Sequence, residues 1–212
     1  MSPRYSTIVL ALAAVLAAAG LAPASAQGPR DLPGKKDLIE PPAKPPKIRR
    51  GDRTHDLNFL FGALKVAPDE TSAKNIEDRI WALWLASGSD TCNLLMNRVK
   101  EAVDAEKYDL AIRLLDSIIE IKPGYVEAWN RRATVFFLRK DYAHALADIR
   151  QVLAREPRHF GALTGLGAIM QDIGEEKDAL AAYRRALEID PHLKGVADKI
   201  KTLAEKVEGR DI

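Results

Sequence analysis

The residue types that most often do chemistry are thinly spread in this sequence. The four histidines, His55, His144, His159 and His192, do not have the spacing of metal ligands, and Cys92 is the only cysteine. The sequence contains no G-x-S-x-G, no H-E-x-x-H and no phosphate-binding G-x-x-x-x-G-K-[ST] segment. We therefore predict a protein that is not an enzyme and that carries no metal and no cofactor.

Two remaining features have ordinary structural explanations. Gly165 and Gly167 have the spacing that opens a dinucleotide-binding fingerprint, but Met170 stands at the third glycine position and no alternating strand pattern precedes them. Cys92 lies at the start of a predicted helix, where we expect it to fill space, with an intermolecular disulfide as the alternative. Neither feature predicts a reaction.

The segment 1–26 has the layout of a secretory signal peptide. Arg4 precedes an apolar run over 8–21, and Ala24-Ser25-Ala26 stands before Gln27. We expect cleavage after Ala26 and export to the periplasm of a Gram-negative bacterium. The apolar run is shorter than the roughly 20 residues of a membrane-spanning helix, so no transmembrane span is predicted.

Residues 27–54 form a basic, proline-rich arm. Between residues 28 and 53 there are eight Lys or Arg residues, four acidic residues and six prolines, with few large apolar side chains to bury. Two interpretations remain open: a solvated tether, or weak contact of PPAKPPKIRR with an anionic membrane or cell wall. The net charge of the whole chain is only +2, which is not typical of a nucleic-acid-binding protein.

A 34-residue period organises the rest of the chain. Two sets of residues recur at this spacing, the alanines Ala111, Ala145 and Ala179 and the prolines Pro123, Pro157 and Pro191. In the last unit, apolar or small residues at i, i+3, i+4 and i+7 define one face of a first helix, namely Leu163, Leu166, Gly167 and Met170. Ala179, Tyr183 and Ala186 form the facing stripe of a second helix. We predict that Gly167 lets the two helices approach and that Gly174 and Pro191 end them.

This pattern resembles the tetratricopeptide repeat. The resemblance implies an all-α fold, an α-solenoid of stacked antiparallel helix pairs that forms a right-handed superhelix. Repeats are assigned to residues 92–125, 126–159 and 160–193, the first being degenerate because Val99 and Ile118 stand where small residues are usual. Residues 194–212 are predicted to form a capping helix and a tail.

An irregular helix pair is predicted upstream, over residues 55–91. We expect this pair to be an N-terminal repeat or cap packed on the array. Gly88 is predicted to end its second helix, and Asp90 to cap the next one. Trp81 and Trp84, at i and i+3, are interpreted as core between helices, with a ligand cage as the alternative.

The resemblance also implies which residues line the concave groove. In this family positions 2, 5, 6, 9, 12 and 13 of each repeat face the groove, and they supply these candidate partner-binding residues: Asn93, Asn97, Lys100, Asp104, Glu127, Asn130, Arg131, Thr134, Phe137, Gly161, Thr164, Gly165, Ala168 and Gln171. Amide side chains can pair with an extended peptide backbone, and Arg131 can fork onto a carboxylate. The alternative is that these residues are merely the solvated faces of helices.

The family's carboxylate clamp is absent. Its lysine, asparagine and arginine positions correspond here to Met96, Lys100, Arg131, Gly161 and Gly165, which argues against a ligand of the chaperone-tail type. Gly161 and Gly165 are interpreted either as a floor that a partner approaches or as residues tolerated in a helix. Because glycine costs a helix about 1 kcal/mol relative to alanine, alanine at either position is expected to gain stability.

Three functional hypotheses follow. The first is a periplasmic interaction scaffold or adaptor that binds a peptide segment of another envelope protein and supports envelope assembly or integrity. The second is a structural solenoid that self-associates, and the third is an accessory subunit that recruits a cell-wall or secretion enzyme. The sequence does not determine the oligomeric state.

Overall fold

The computed structural model describes residues 53–193 and 195–209. Within these ranges the chain forms nine α-helices and no strand. The helices are α1 (Arg53–Lys65), α2 (Glu70–Leu85), α3 (Asp90–Asp104), α4 (Tyr108–Ile121), α5 (Val126–Leu138), α6 (Tyr142–Arg155), α7 (Phe160–Asp172), α8 (Glu176–Ile189) and α9 (Val196–Val207). None of the helices in these ranges combines the length and the apolar character needed to cross a bilayer. The predicted signal peptide and all but the last two residues of the predicted arm lie outside the described residues.

Helices α3 to α8 form three pairs with the predicted period. The starts and the ends of the second helices, α4, α6 and α8, all follow the spacing of the repeated alanines. The two helices of each pair pack on one another, and the second helix of one pair contacts the first helix of the next. The side chains of Ala111, Ala145 and Ala179 are fully buried where the paired helices meet. The prediction of an all-α solenoid of stacked helix pairs is confirmed.

Each first helix is followed by a residue with left-handed backbone. At Gly174 the φ angle is +88°, as the sequence predicts, and the equivalent positions are Glu106 (φ +57°) and Lys140 (φ +61°). A side chain at such a residue costs about 1 to 2 kcal/mol. The turn therefore forms in the first two repeats against the local preference of the residue, because the packing of the paired helices requires it.

Gly167 is a site of close approach between α7 and α8. A Cβ atom on Gly167 would lie 2.5 Å from Cε1 of Tyr183, which is far closer than van der Waals contact. The side chain of Tyr183 is fully buried and has no open space to move into. The prediction that Gly167 lets the paired helices approach is confirmed.

Gly167→Ala is expected to lower the free energy of unfolding by about 1 to 2 kcal/mol. Overpacking against Tyr183 outweighs the roughly 1 kcal/mol that alanine gains in a helix interior. Gly62→Ala is the matched control, because Gly62 lies in α1 with no atom within 4 Å of its Cβ position, and it is expected to gain stability. Urea denaturation followed by circular dichroism measures both changes, and a gain at Gly167 would refute this packing argument.

The junction between α2 and α3 differs from its prediction. Helix α2 ends at Leu85, ahead of Gly88, and Ser89 rather than Asp90 caps α3. The Ser89 hydroxyl accepts a hydrogen bond from the Cys92 N–H at 3.4 Å. Ser89 can do this because its backbone is extended, with φ −135°, whereas Asp90 is already helical.

Helices α1 and α2 pack on the array, but not as a repeat in front of α3. Their apolar side chains join one cluster with residues of α7, α8 and α9, whereas α3 and α4 belong to a separate cluster. Arg158, in the connection between α6 and α7, stacks its guanidinium on the ring of Phe61 at 4.3 Å and donates a hydrogen bond to Asn58 at 2.8 Å. The pair thus lies against the second half of the array.

Helix α9 covers the last repeat with one apolar side. Val196 and Leu203 are buried, and Ile200 and Val207 pack against the same cluster as α8. The opposite side carries exposed charged residues such as Lys201 and Glu205, and Lys206 at the flank pairs with Glu176 of α8 at 2.8 Å. This polar outer side is what the last helix of a stacked array requires.

Candidate partner-binding surface

One edge of the array, here named the loop edge, contains the residue that follows each inter-repeat turn. Its members are Tyr125, His159 and Leu193, which occupy the same position in successive repeats. All three residues are buried. Tyr125 and His159 directly precede α5 and α7, so whatever covers the loop edge also covers the starts of the groove-lining helices.

Helix α2 covers the loop edge and contacts two of the three repeat-equivalent positions directly. The Tyr125 hydroxyl donates a hydrogen bond to the Leu85 carbonyl at 2.9 Å. The ring of Trp84 stacks on His159, with centroids 4.0 Å apart and planes 9° apart. Leu193 belongs to the same apolar cluster as Trp84. One helix outside the repeats therefore bridges successive repeats.

Trp81, the other tryptophan of α2, enters the space that Gly161 leaves open. Trp81 is fully buried, and its ring meets those of His159 and Phe160 edge-on at 5.4 and 5.5 Å. A Cβ atom on Gly161 would lie 2.8 Å from Cη2 of Trp81. Gly161 thus makes room for a side chain of the same protein. The interpretation of Trp81 and Trp84 as core between helices is confirmed.

Gly161→Ala is expected to lower the free energy of unfolding by about 1 kcal/mol, which reverses the gain expected from the sequence. The added methyl group has to push aside the buried ring of Trp81, and this strain exceeds the helix propensity of alanine. Chemical denaturation beside Gly62→Ala measures the difference between a crowded and an open glycine. A gain of equal size in both variants would show that Trp81 yields freely.

A buried carboxylate lies at the start of α5, beneath this contact. Glu127 is fully buried and accepts hydrogen bonds from Arg131 at 2.9 Å, Asn130 at 3.2 Å and His159 at 3.4 Å. Burial alone would raise the pKa of Glu127, but the hydrogen bond from His159 and the charge of Arg131 outweigh it and hold the pKa below its usual value. Glu127 therefore ties α5 to the start of α7.

His159 has its protonation pattern fixed by two neighbours. Its Nδ1 atom accepts the N–H of Ala162 at 3.1 Å and so caps α7. The proton of the neutral ring is therefore on Nε2, which faces Glu127 at 3.4 Å. Capping, stacking on Trp84 and pairing with Glu127 all act on one imidazole ring, so this residue links the loop edge to the groove.

The predicted groove residues differ widely in exposure. Those on α3 and at the end of α7 are exposed, namely Asn93, Asn97, Lys100, Asp104 and Gln171. Arg131 and Thr134 are half-buried, and the others are buried, namely Glu127, Asn130, Phe137, Gly161, Thr164, Gly165 and Ala168. Their role in binding a partner stays a prediction.

The structure brings several of these residues together in one narrow cleft between α5 and α7. Asn130, Thr134 and Phe137 line it from α5, and Gly161 and Gly165 line it from α7. Because the ring of Trp81 rests on Gly161, α2 closes one end of this cleft. The free volume of this cleft is only about 20 Å³, room for about one water molecule, so it does not hold a peptide segment while α2 is in place.

Two charged groove residues already have partners within the protein. Lys100 pairs with Asp104 at 2.7 Å on the surface of α3. Arg131, which the sequence offers to a partner's carboxylate, is paired with the buried Glu127. Binding a carboxylate at Arg131 would therefore compete with an intramolecular ion pair.

The loop edge is not evident as a functional surface from the amino-acid sequence. Tyr125, His159 and Leu193 carry different side chains, so their common spacing gives no signal by residue type. The repeat period does place them in register, and Trp81 and Trp84 mark an unusually aromatic helix. Only the tertiary contact joins these two observations.

A second contact of α2 brings two carboxyl groups together. Burial and the negative charge of Asp190 together raise the pKa of Glu77 to about 7, against the opposite effect of Lys74 at 3.4 Å. Burial also raises the pKa of Asp190, whose carboxylate accepts the N–H of His192 at 3.0 Å. Two carboxyl groups therefore face each other where α2 passes the end of α8.

Stability is expected to fall as the pH rises from about 4.5 to about 8. The pKa of Glu77 is higher in the folded than in the unfolded protein. The stability that protonated Glu77 contributes is therefore complete below the unfolded-state pKa, and it is lost as the pH rises through about 7. We expect a loss of about 2 kcal/mol, measured by urea denaturation across this range. Glu77→Gln should flatten this part of the profile, and an unchanged slope in that variant would assign it to other groups.

No group of three or more His, Cys, Asp or Glu side chains in the described ranges is placed to hold a metal ion. The stacked helix pairs, with a cleft between α5 and α7, define a helical-repeat binding module. The sequence model of the tetratricopeptide repeat matches residues 96–148 and 141–193. The chain belongs to the tetratricopeptide repeat family. Repeats of this family are typically non-enzymatic scaffolds for protein–protein interaction.

Known proteins resemble the chain over more than half of its length. A TPR repeat-containing protein of Rhizobium etli is 40% identical over 153 residues, which span 72% of this chain and 75% of the relative. The first TPR of Spaghetti (RPAP3), solved with an HSP90 peptide, superposes with a TM-score of 0.54 at 21% identity, over 57% of this chain and 95% of that chain. MamA from Desulfovibrio magneticus gives a TM-score of 0.51 at 17% identity, over 76% and 89%.

Proposed function

We propose that the protein is a non-enzymatic adaptor of the bacterial cell envelope that binds a peptide segment of another envelope protein. The observation that carries the proposal is the stack of tetratricopeptide helix pairs, whose helix α3 exposes Asn93 and Asn97 at predicted groove positions. An exposed amide side chain can both donate to and accept from a peptide backbone, whereas Asn130 and Thr134 of the α5–α7 cleft already donate hydrogen bonds within the protein. Holding such a segment would support envelope assembly or integrity.

The proposed location is the periplasm of a Gram-negative bacterium. It is supported by the signal-like layout of residues 1–26, with Ala24-Ser25-Ala26 before Gln27. Sequencing the N-terminus of the protein from a periplasmic fraction is expected to find Gln27. A cytoplasmic protein that still begins at Met1 would contradict export. Contact of the basic arm with anionic lipid or cell wall is part of the same proposal.

The proposed ligand is an internal peptide segment rather than a C-terminal tail. The solved RPAP3 repeat holds an HSP90 peptide. Here the equivalent clamp positions are unsuited to a terminal carboxylate, since Met96 and Gly161 carry no charge and Arg131 is paired with Glu127. A segment bound by its backbone and one apolar side chain requires no such clamp.

Photo-crosslinking in the cell tests this function. A photoreactive residue at Asn97 or Thr134 is expected to trap the same envelope protein, whereas one at the exposed Glu188 of α8 is not. Equal trapping from all three positions would remove the groove from the explanation. Trapping of a second copy of the chain alone would favour the self-associating solenoid instead.

A further inference from the structure

We propose that α2 is a ligand that the array holds in cis, and that the α1–α2 pair detaches from the loop edge to admit a partner's aromatic side chain at Gly161. The proposal rests on the peptide-binding function proposed above and adds its regulation. The occupied state is the one that the structure describes, with Trp81 seated on Gly161.

Helix α2 occupies a binding position on the repeat array. It lies outside the repeats, and it contacts Tyr125 and His159 at equivalent positions of successive units, while Leu193 at the third such position belongs to the same apolar cluster. An amphipathic helix that lays its apolar face against a partner is a recurring mode of peptide recognition, and α2 is placed in this way. The anchors are the two tryptophan rings, the residue type most enriched at binding hot spots.

Helix α2 and a partner's aromatic side chain cannot occupy the space at Gly161 at the same time. Gly161 lines the cleft between α5 and α7 and also carries the ring of Trp81. A partner's aromatic side chain at Gly161 would need the volume that Trp81 fills. Detachment of α2 would therefore lengthen the cleft toward the loop edge.

The contact of α2 with the array leaves buried polar groups without a hydrogen-bond partner in the described ranges. The Nε1 atoms of both Trp81 and Trp84 are buried, and neither finds a hydrogen-bond partner among the described residues. Glu77 and Asp190 place two carboxyl groups against each other in the same contact. Detachment returns these polar groups to water, which lowers the cost of opening relative to a fully paired core.

The connection to the array is suited to this movement. Helix α2 ends at Leu85, and the segment that follows contains Gly88 with φ +71° and the α3 cap Ser89. Helices α3 and α4 have an apolar cluster of their own, to which α1 and α2 contribute nothing. The α1–α2 pair can therefore leave the loop edge while the first repeat stays folded.

A peptide with the sequence of residues 70–85, labelled with a fluorophore, tests the proposal by fluorescence anisotropy. It is expected to bind the full-length Trp81→Ala/Trp84→Ala variant at least tenfold more tightly than the wild-type protein, whose own α2 competes. The control peptide, with alanine at both tryptophan positions, is expected not to bind. Equal binding of the labelled peptide to both proteins, or no binding to a folded variant, would overturn the proposal.

Hydrogen exchange provides a second test that does not require the double variant to fold. Amides of α2 in the wild-type protein are expected to exchange at least tenfold faster than those of α7. Glu77→Gln removes the carboxyl repulsion and is expected to slow α2 several-fold without changing α7. Exchange of α2 and α7 at one common rate would mean that α2 opens only with global unfolding, which is incompatible with a detachable ligand.

These measurements separate the proposal from the function on which it rests. The peptide and exchange experiments use the purified protein alone, whereas photo-crosslinking at Asn97 and Thr134 identifies a partner in the cell. Crosslinking that succeeds while α2 fails to exchange would keep the adaptor and reject its regulation.

Discussion

Replacing Trp81 with alanine is expected to lower the free energy of unfolding by about 3 to 5 kcal/mol, the range for large aromatic side chains in a core. Trp81 is fully buried, and its ring contacts those of Trp84, His159 and Phe160 at centroid distances of 5.1 to 5.5 Å. Because Trp81 joins α2 to the start of α7, its removal takes packing contacts away from both helices. Urea denaturation followed by circular dichroism measures this loss of stability.

Trp129→Ala is the matched control for this change. The side chain of Trp129 is half-buried on α5, its Nε1 donates to the Pro123 carbonyl at 2.9 Å, and Arg132 stacks on its ring at 5.0 Å. Its loss is expected to cost less than half as much, because less apolar surface leaves the interior. Similar losses in the two variants would mean that Trp81 does not anchor the contact.

The Trp81→Ala variant also distinguishes two modes of failure. If α1 and α2 detach while the repeats stay folded, protection from hydrogen exchange falls first in α2 and at the start of α7. If the array loses its core as a whole, all helices lose protection together. The first outcome is expected, because α3 and α4 belong to a separate apolar cluster.

Replacing Glu127 with alanine is expected to lower the free energy of unfolding by about 3 to 5 kcal/mol, because breaking a buried ion pair strands its partners. His159 and Asn130 would lose the acceptor for their buried N–H groups, and Arg131 would lose its carboxylate. The loss also disturbs the ring that caps α7 and stacks on Trp84. Thermal and urea denaturation at pH 7 measure the change.

Two variants bracket the Glu127 result. Glu127→Gln keeps the size and one acceptor oxygen, so it is expected to cost less than Glu127→Ala. Glu176→Ala removes a largely solvated ion pair with Lys206 and is expected to cost at most about 1 kcal/mol. A Glu127→Ala loss as small as that of Glu176→Ala would show that water replaces the missing carboxylate.

The helices and their turns could be predicted from the sequence because their signals are local. Apolar residues repeat with the period of a helix, and small residues such as Ala111, Ala145 and Gly167 recur where helices must approach. Left-handed turns were predictable only at Gly174, since Glu106 and Lys140 give no local sign of a positive φ. The cap of α3 was misplaced by one residue because Ser89 and Asp90 both suit that role.

The groove could be predicted only as a set of positions. Repeat register selects the residues of α3, α5 and α7, but it cannot tell which of them another part of the chain covers. Repeat register selects both Asn97 and Gly161, yet Asn97 is exposed and Gly161 is buried. The ring of Trp81 rests on Gly161, whereas no ring in the described ranges covers Asn97 in this way. For the same reason the sequence predicts a gain in stability for Gly161→Ala, whereas the contact with Trp81 predicts a loss.

The sequence by itself determined the family, the period of the helix pairs and the close approach at Gly167, because these depend on residues near one another in the chain. The tertiary structure alone decided that α2 crosses the loop edge. That placement depends on rings such as Trp84 and His159, which lie far apart in the sequence, and on a buried carboxylate that joins two repeats. Such contacts leave no periodic trace in the sequence, since each is made once.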